Sequence, residues 1–226
     1  MESNMAKNWY KYASVILILY GIFAGFLSTP PRLPILNESI RNLYFHVPMW
    51  FAMIAIYATS AMYSTKYLRS QNLKHDLYAN AATIVGNLLG WLGMFTGMLW
   101  ARFTWGDWWN GDVKQIASLV ALCIYLAYAI LRNAIDDVDK RARIAAVYNL
   151  FAFPLLITLI FIVPRMYDSL HPGNGGNPAF GGYDLDHQMR LIFYPTIIGW
   201  IFMSFWLANI VWRWLVLENR QLFVAH

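Results

Sequence analysis

The sequence predicts an all-α polytopic membrane protein with six transmembrane helices and both termini in the cytoplasm. Hydrophobic residues make up 59% of its 226 residues and charged residues only 13%. A soluble domain usually carries about 25% charged residues, so much of this apolar surface must face something other than water. The apolar residues also fall in long uninterrupted runs, which are typical of helices that face lipid. We therefore treat residues 1–226 as a single transmembrane domain.

Six apolar segments are long enough to cross a bilayer as helices, which takes roughly 20 residues each. A spanning segment must satisfy its own backbone hydrogen bonds, and these runs lack the alternation of barrel strands. The first run follows basic residues as a signal peptide does, but its length and the lack of a cleavage site favour a retained helix. The predicted spans are about Trp9–Leu27, His46–Tyr63, Asn80–Trp100, Ile116–Leu131, Ile144–Val163 and Leu191–Leu217.

The basic residues are divided unevenly between the two sets of loops. Of the 17 Lys and Arg residues, the larger share lies in the two termini and in the loops near 64–79 and 132–143. The positive-inside rule places this richer set in the cytoplasm. Three loops then lie outside, at about 28–45, 101–115 and 164–190. The last contains the stretch 171–178, which we expect to be irregular because it is rich in Gly, Pro and Asn.

Charge and cysteine content argue against several classes of protein. The net charge of +5 is explained by basic loop residues beside the bilayer, so we predict no nucleic-acid partner. The single cysteine, Cys123, allows no internal disulfide, CxxC pair or four-cysteine zinc site. We expect Cys123 to pack as a small apolar residue. Since no CxxCH motif is present, the chain is not itself a c-type cytochrome.

The second outer loop is unusually rich in tryptophan. Trp100, Trp105, Trp108 and Trp109 fall within ten residues, mixed with Gly, Asn, Asp and Arg. An interfacial aromatic belt would explain one or two of them. Aromatic pairs gain roughly 0.5–1.5 kcal/mol beyond the burial of their area. The alternative is therefore a shelf of flat aromatic faces for a large planar ligand.

Histidines and arginines are also predicted on the outer face. His46 begins the second span, His171 lies in the third outer loop, and His187 is a spare candidate, whereas His75 and His226 fall on the other side. Neutral imidazole is a preferred axial ligand of heme iron, so two histidines and an aromatic shelf match the needs of one heme. Arginine pairs with carboxylates, and the candidate partners for the two heme propionates are Arg41, Arg102 and Arg165.

These residues carry a resemblance to a known family. The run Trp105-Gly106-x-Trp108-Trp109-x-x-Asp112 resembles the "WWD" signature of heme-handling proteins. Within that group the sequence is most similar to the heme exporter protein C family, CcmC, of cytochrome c biogenesis. Phe45-His46-Val47-Pro48 resembles its first histidine motif, and Ser169-Leu170-His171 resembles its second. The segment Gly93-x-x-Thr96-Gly97 before the tryptophan loop fits as well.

The resemblance implies a role in heme delivery rather than catalysis. Proteins of this family bind heme b at the outer face of the bacterial inner membrane and present it to a tethered chaperone, CcmE. A CcmD-like small membrane protein and an ABC-type complex, CcmAB, assist. By analogy, His46 and His171 would be the axial ligands of the heme iron. The residues expected to form the heme platform and the chaperone contact are Trp100, Trp105, Gly106, Trp108, Trp109 and Asp112.

The sequence departs from the family pattern at three positions. Gly111 stands where the last tryptophan is usual, Lys114 stands where an arginine is common, and Pro172 follows the second histidine. The alternatives are a CcsA-type cytochrome c synthase component, a b-type cytochrome membrane subunit and a generic six-span transporter. No span carries a mid-depth histidine, which argues against the b-type cytochrome. No charged pathway is evident inside the spans, which argues against a transporter of polar cargo.

Overall fold

The computed structural model describes residues 2–31, 36–171 and 185–223, and it contains no strand within these ranges. Within these ranges six helices are long and apolar enough to cross a membrane, which confirms the predicted all-α fold with six possible spans. They are α1 (Glu2–Leu27), α2 (Leu43–Ser70), α3 (Leu73–Trp105), α4 (Val113–Asn133), α5 (Val138–Ile157) and α6 (His187–Glu218). Short helical turns lie at Asn37–Asn42 and Arg220–Phe223, and α5 continues through a π-helical turn, Thr158–Ile162, and a 3-10 turn, Val163–Arg165.

Polar side chains begin four of the six helices. The first backbone N–H groups of a helix have no partner within it, and a preceding Asn or Asp side chain can accept a hydrogen bond from one of them. Asn72 does this for α3, Asp112 for α4, Asp137 for α5 and Asp186 for α6. These caps fix where each helix leaves its loop.

The helices run further than the apolar segments that predicted them. The inner loop expected near 64–79 is reduced to Gln71 and Asn72, between α2 and α3. The tryptophan loop expected at 101–115 is shorter as well, because α3 extends to Trp105 and α4 starts at Val113. Hydropathy marks where a helix leaves the apolar region, whereas backbone hydrogen bonding continues through the polar residues beyond.

Helix α2 lies at the centre of the bundle. It packs against α3, α5 and α6, while α1 lies on α6, and α4 packs against α3 and α5. The main core contains the stacked rings of Tyr57 and Tyr125, whose centroids are 3.6 Å apart. Cys123, expected to pack inside, is exposed on α4, so that prediction was wrong.

A charged pair lies buried at the end of the bundle opposite His46. Arg132, in the last turn of α4, donates to both carboxylate oxygens of Asp76, in the first turn of α3, at 2.7 and 2.6 Å. Their side chains are 5% and 6% exposed. The pair joins two helices whose dipoles favour these charges, since an acid stands at a helix start and a base at a helix end.

Candidate functional site

A cavity of about 190 Å³ lies between α2, α3, α4 and the turns that end α5. Its walls are mostly apolar, with side chains such as Phe51, Met98 and Phe161. His46 and His171 both line it, although 124 intervening residues separate them in the chain. The structure therefore brings together the two predicted ligand residues.

His46 is held in one orientation by α3. Its Nδ1 lies 3.0 Å from the hydroxyl oxygen of Thr96, which itself donates to the backbone oxygens of Leu92 or Gly93 at 2.9 and 3.0 Å. Because the threonine proton is used there, the hydroxyl accepts from the imidazole. We therefore assign the proton to Nδ1, which leaves the lone pair of Nε2 to bind a metal.

Pro48 lies inside α2, and the helix begins before the histidine motif. The 3-10 turn Asn37–Asn42 leads directly into α2, which begins at Leu43. His46 is therefore on regular helix, in the buried first turn, and is 9% exposed. A ligand on a helix is held more rigidly than one on a loop.

Two glycines of α3 make room for the side chains of α2. A Cβ atom at Gly97 would lie 2.7 Å from Cε1 of His46, and one at Gly93 would lie 2.9 Å from Nε1 of Trp50. These distances are below van der Waals contact, so the helices can approach this closely only with glycine at both positions. The segment 93–97 thus supplies Thr96 and Gly97, which hold His46 in place, and Gly93, which makes room for Trp50.

For the heme that the family resemblance implies as cargo, we predict that Gly97→Ala weakens binding without unfolding the protein. The added methyl group pushes the His46 imidazole away from its threonine partner. We expect heme affinity to fall roughly 10- to 100-fold, as it does when residues that contact a metal-binding side chain are replaced. The measurement is a hemin titration of the purified variant followed by absorption.

Gly86→Ala is the matched control for this substitution. It lies on the same helix, and its Cβ would meet the Tyr57 ring at 2.4 Å. The site is roughly 16 Å along the helix from Gly97. This variant should lose stability but keep its affinity for heme, and an equal loss of affinity in both variants would contradict the role given to Gly97.

His171 is held by the carboxylate of Asp112. Nδ1 of His171 lies 2.9 Å from Oδ1, at ion-pair distance, although the ring is not aligned for a straight hydrogen bond. The same carboxylate accepts from the Leu170 backbone N–H at 2.7 Å and from the Ser169 hydroxyl at 2.9 Å. It also caps α4 through Lys114 N–H at 2.8 Å. Asp112 therefore joins the tryptophan loop to the segment that carries His171.

The environment of Asp112 favours its ionised form. Burial raises the pKa of this carboxyl, but the close contact with His171 and the backbone N–H groups of Leu170 and Lys114 lower the pKa by more. The net pKa lies well below the usual value of an aspartate. Because folding lowers the pKa of Asp112, its ionised carboxylate stabilises the folded protein at pH values above the ordinary aspartate pKa. This contribution is lost as the pH falls toward the folded-state pKa.

The four tryptophans separate into two groups. Trp100 and Trp105 lie in α3, and each ring is near one histidine: Trp100 is 5.9 Å from the His46 ring and Trp105 is 4.9 Å from the His171 ring. Trp108 and Trp109 lie in the loop and are 51% and 40% exposed. The first pair packs beside the two histidines, and the second pair forms an exposed surface.

Two loop glycines have backbone conformations that favour glycine. Gly106 ends α3 with φ of +95°, and Gly111 has φ of +68°. A side chain in this left-handed region costs roughly 1–2 kcal/mol. Among the described residues, no atom lies within 4 Å of a Cβ built at Gly111. Neither Trp100, which is buried beside His46, nor Phe103, which is 80% exposed, replaces the ring missing from the family pattern.

Only one of the three predicted arginines lines the cavity. Arg165 does so at its rim. Arg41 instead donates to carbonyl oxygens at and just beyond the end of α1, namely Phe26 O at 3.0 Å and Ser28 O at 2.8 Å, and pairs with Glu38. Arg102 is exposed and donates to the carbonyl oxygen of Gly106. Arg41 and Arg102 thus hold helix ends, a use that sequence position could not distinguish from ligand binding.

The remaining histidines lie elsewhere. His187 is exposed at the start of α6 and does not line the cavity. His75 contacts Ser70 at the junction of α2 and α3, at the far end of the bundle. His226 lies outside the described residues, as does the part of the predicted irregular stretch that follows His171 and begins at Pro172.

Comparison with known proteins identifies the family. The family model of heme exporter protein C matches residues 2–224. The chain belongs to the heme exporter protein C family. It is 28% identical over 219 residues to the heme exporter protein C of Escherichia coli strain K12, which covers 96% of this chain and 87% of the relative. The protein of the same name from Bradyrhizobium diazoefficiens is 29% identical over 187 residues, covering 81% of this chain and 68% of the relative. The one from Rhodobacter capsulatus is 26% identical over 166 residues, covering 74% and 68%.

Further residues of this heme exporter protein C family member line the cavity, although the sequence assigned them no role in it. They include Trp50, Lys114 and Gln115. Gln115 also accepts from the backbone N–H of Asn110 at 3.0 Å, so it helps to hold the tryptophan loop. The only signal for Lys114 in the sequence was that it stands at a position where the family commonly has an arginine. Nothing in the sequence distinguished Gln115 from other polar residues at a helix start.

Proposed function

We propose that this protein binds heme b at the outer face of the bacterial inner membrane and delivers it to a tethered heme chaperone for cytochrome c maturation. Membership in the heme exporter protein C family supports the coarser role, heme handling by a multi-pass membrane protein. The observation that carries the finer proposal is the pairing of His46 and His171 on one cavity, each with Nδ1 held by a protein side chain.

The donor set fits one heme. Two imidazoles that present Nε2 would hold the iron from opposite sides, since imidazole is a preferred axial ligand. Apolar walls suit the porphyrin ring, and the cationic side chains of Arg165 and Lys114 at the cavity suit its propionates. At about 190 Å³ the cavity is smaller than the 300–1,000 Å³ of a typical ligand cleft or cavity. We propose that it encloses one edge of the porphyrin and leaves the other edge outside.

The chain's own residues then divide the work of delivery. His46 and His171 retain the iron, and the exposed rings of Trp108 and Trp109 offer a surface to a CcmE-like chaperone. Release occurs when an imidazole of the chaperone replaces one of the two axial ligands, an exchange that changes no oxidation state. A CcmD-like membrane protein and an ABC-type CcmAB complex are the further partners that we propose. The role that we propose is the binding and transfer of heme. Both termini lie in the cytoplasm in this proposal.

Hemin titration of the purified protein in mild detergent tests this proposal. We expect saturable binding of one heme per chain with the low-spin absorption of a bis-histidine complex. Empty micelles of the same detergent are the control for hemin that merely dissolves. Adding a purified CcmE-like chaperone should then move the heme to it. Binding without saturation, or a high-spin spectrum, would contradict the proposed heme site. If the heme stays on this protein after the chaperone is added, the proposed delivery is wrong.

A further inference from the structure

The two histidines are held by partners of different charge. The partner of His46 is a neutral threonine hydroxyl, whereas that of His171 is the carboxylate of Asp112. The Asp112 side chain is 2% exposed, so little water competes for its oxygens. Such a buried carboxylate beside a ligating histidine orients the ring and raises its strength as a donor to the metal.

The other contacts of Asp112 make the arrangement rigid. Its two oxygens are approached from three sides: by the first turn of α4, by the Ser169 hydroxyl and Leu170 N–H, and by the His171 ring. The ring of Trp105 lies 4.9 Å from that of His171 and limits its rotation. Asp112 was expected on the exposed platform with the tryptophans, but its burial beneath the loop suits a different role.

We propose that Asp112 is a positioning residue for His171, whose carboxylate fixes the imidazole with Nε2 toward the cavity and makes it the stronger of the two axial donors. This inference rests on the proposed heme-binding function. A stronger, more anionic donor favours ferric over ferrous iron, because it stabilises the higher charge. His46, with a neutral partner, is then the weaker ligand and the first to be exchanged.

Asp112→Asn tests the proposal, since asparagine is as good a helix cap as aspartate and has the same shape. In the hemin-loaded protein we expect the ratio of ferric to ferrous heme affinity to fall about tenfold, a positive shift of about 59 mV in the one-electron potential. Asp137→Asn is the matched control, because Asp137 caps α5 in the same way through Lys140 N–H but is exposed and away from the cavity. An unshifted potential in Asp112→Asn overturns the inference.

A second measurement leaves Asp112 in place, in case the first variant does not fold. His46→Ala leaves His171 as the sole axial ligand, and His171→Ala leaves His46. In the ferrous state, the iron–histidine stretching frequency should be higher for His46→Ala, because a carboxylate partner strengthens the bond. Equal frequencies, or the reverse order, overturn the inference. Failure of the unaltered protein to bind hemin would instead refute the proposed function.

Discussion

Replacing both His46 and His171 with alanine is expected to remove the low-spin heme absorption of the purified protein. In the proposed site each imidazole would supply one of the two strong bonds to iron, and apolar contact with the cavity wall would not replace them. Each single variant should lose more heme affinity than the roughly 10- to 100-fold lost when a residue that only contacts a metal-binding side chain is replaced. The measurement is a hemin titration followed by absorption, with protein concentration determined independently of heme.

Two other histidines of the same chain provide the controls. His187→Ala alters an exposed residue at the start of α6, and His75→Ala alters a residue at the far end of the bundle. Neither lines the cavity, so both variants should bind heme as the unaltered protein does. A double variant, His46→Ala with His171→Ala, that keeps the full and unshifted heme band would show that the axial assignment is wrong.

Replacing Asp76 alone with asparagine is expected to cost about 3–5 kcal/mol of stability, because it leaves the Arg132 charge buried without a full partner. Both side chains of the pair are almost fully buried, at 5% and 6% exposed, so solvent cannot screen the loss. The free energy of unfolding is measured by titrating the protein from mild detergent into SDS, with helix content as the signal.

The double variant, Asp76→Leu with Arg132→Met, distinguishes the destabilisation caused by an unpaired buried charge from the contribution of the intact pair to the free energy of unfolding. Replacing both members of a buried pair with apolar residues is often neutral or stabilising, so this variant should recover most of the lost stability. Asp136→Asn, at an exposed position in the next loop, should change stability by less than about 0.5 kcal/mol. A double variant as unstable as Asp76→Asn would contradict the account of unpaired charge.

Much of the candidate site could be predicted from the sequence because its residue types are uncommon and lie at recognisable spacings. His46, His171 and the tryptophans were identified in that way, and the family assignment made from them was confirmed. The partners of these residues could not be predicted, because they come from other elements. Thr96 and Gly97 reach His46 across a helix interface, and Asp112 reaches His171 across a loop contact 59 positions away.

The sequence by itself determined that this chain forms six apolar helices, because hydropathy is a property of consecutive residues and the bilayer requires helices of such runs. It also identified the two histidines that we propose bind iron. Only the tertiary structure decided which charged residues serve the cavity and which hold helix ends, since Arg41, Arg102 and Arg165 have equivalent places in the sequence. The reason is that a hydrogen-bond partner is selected by distance and direction in space, which hydropathy and spacing do not encode.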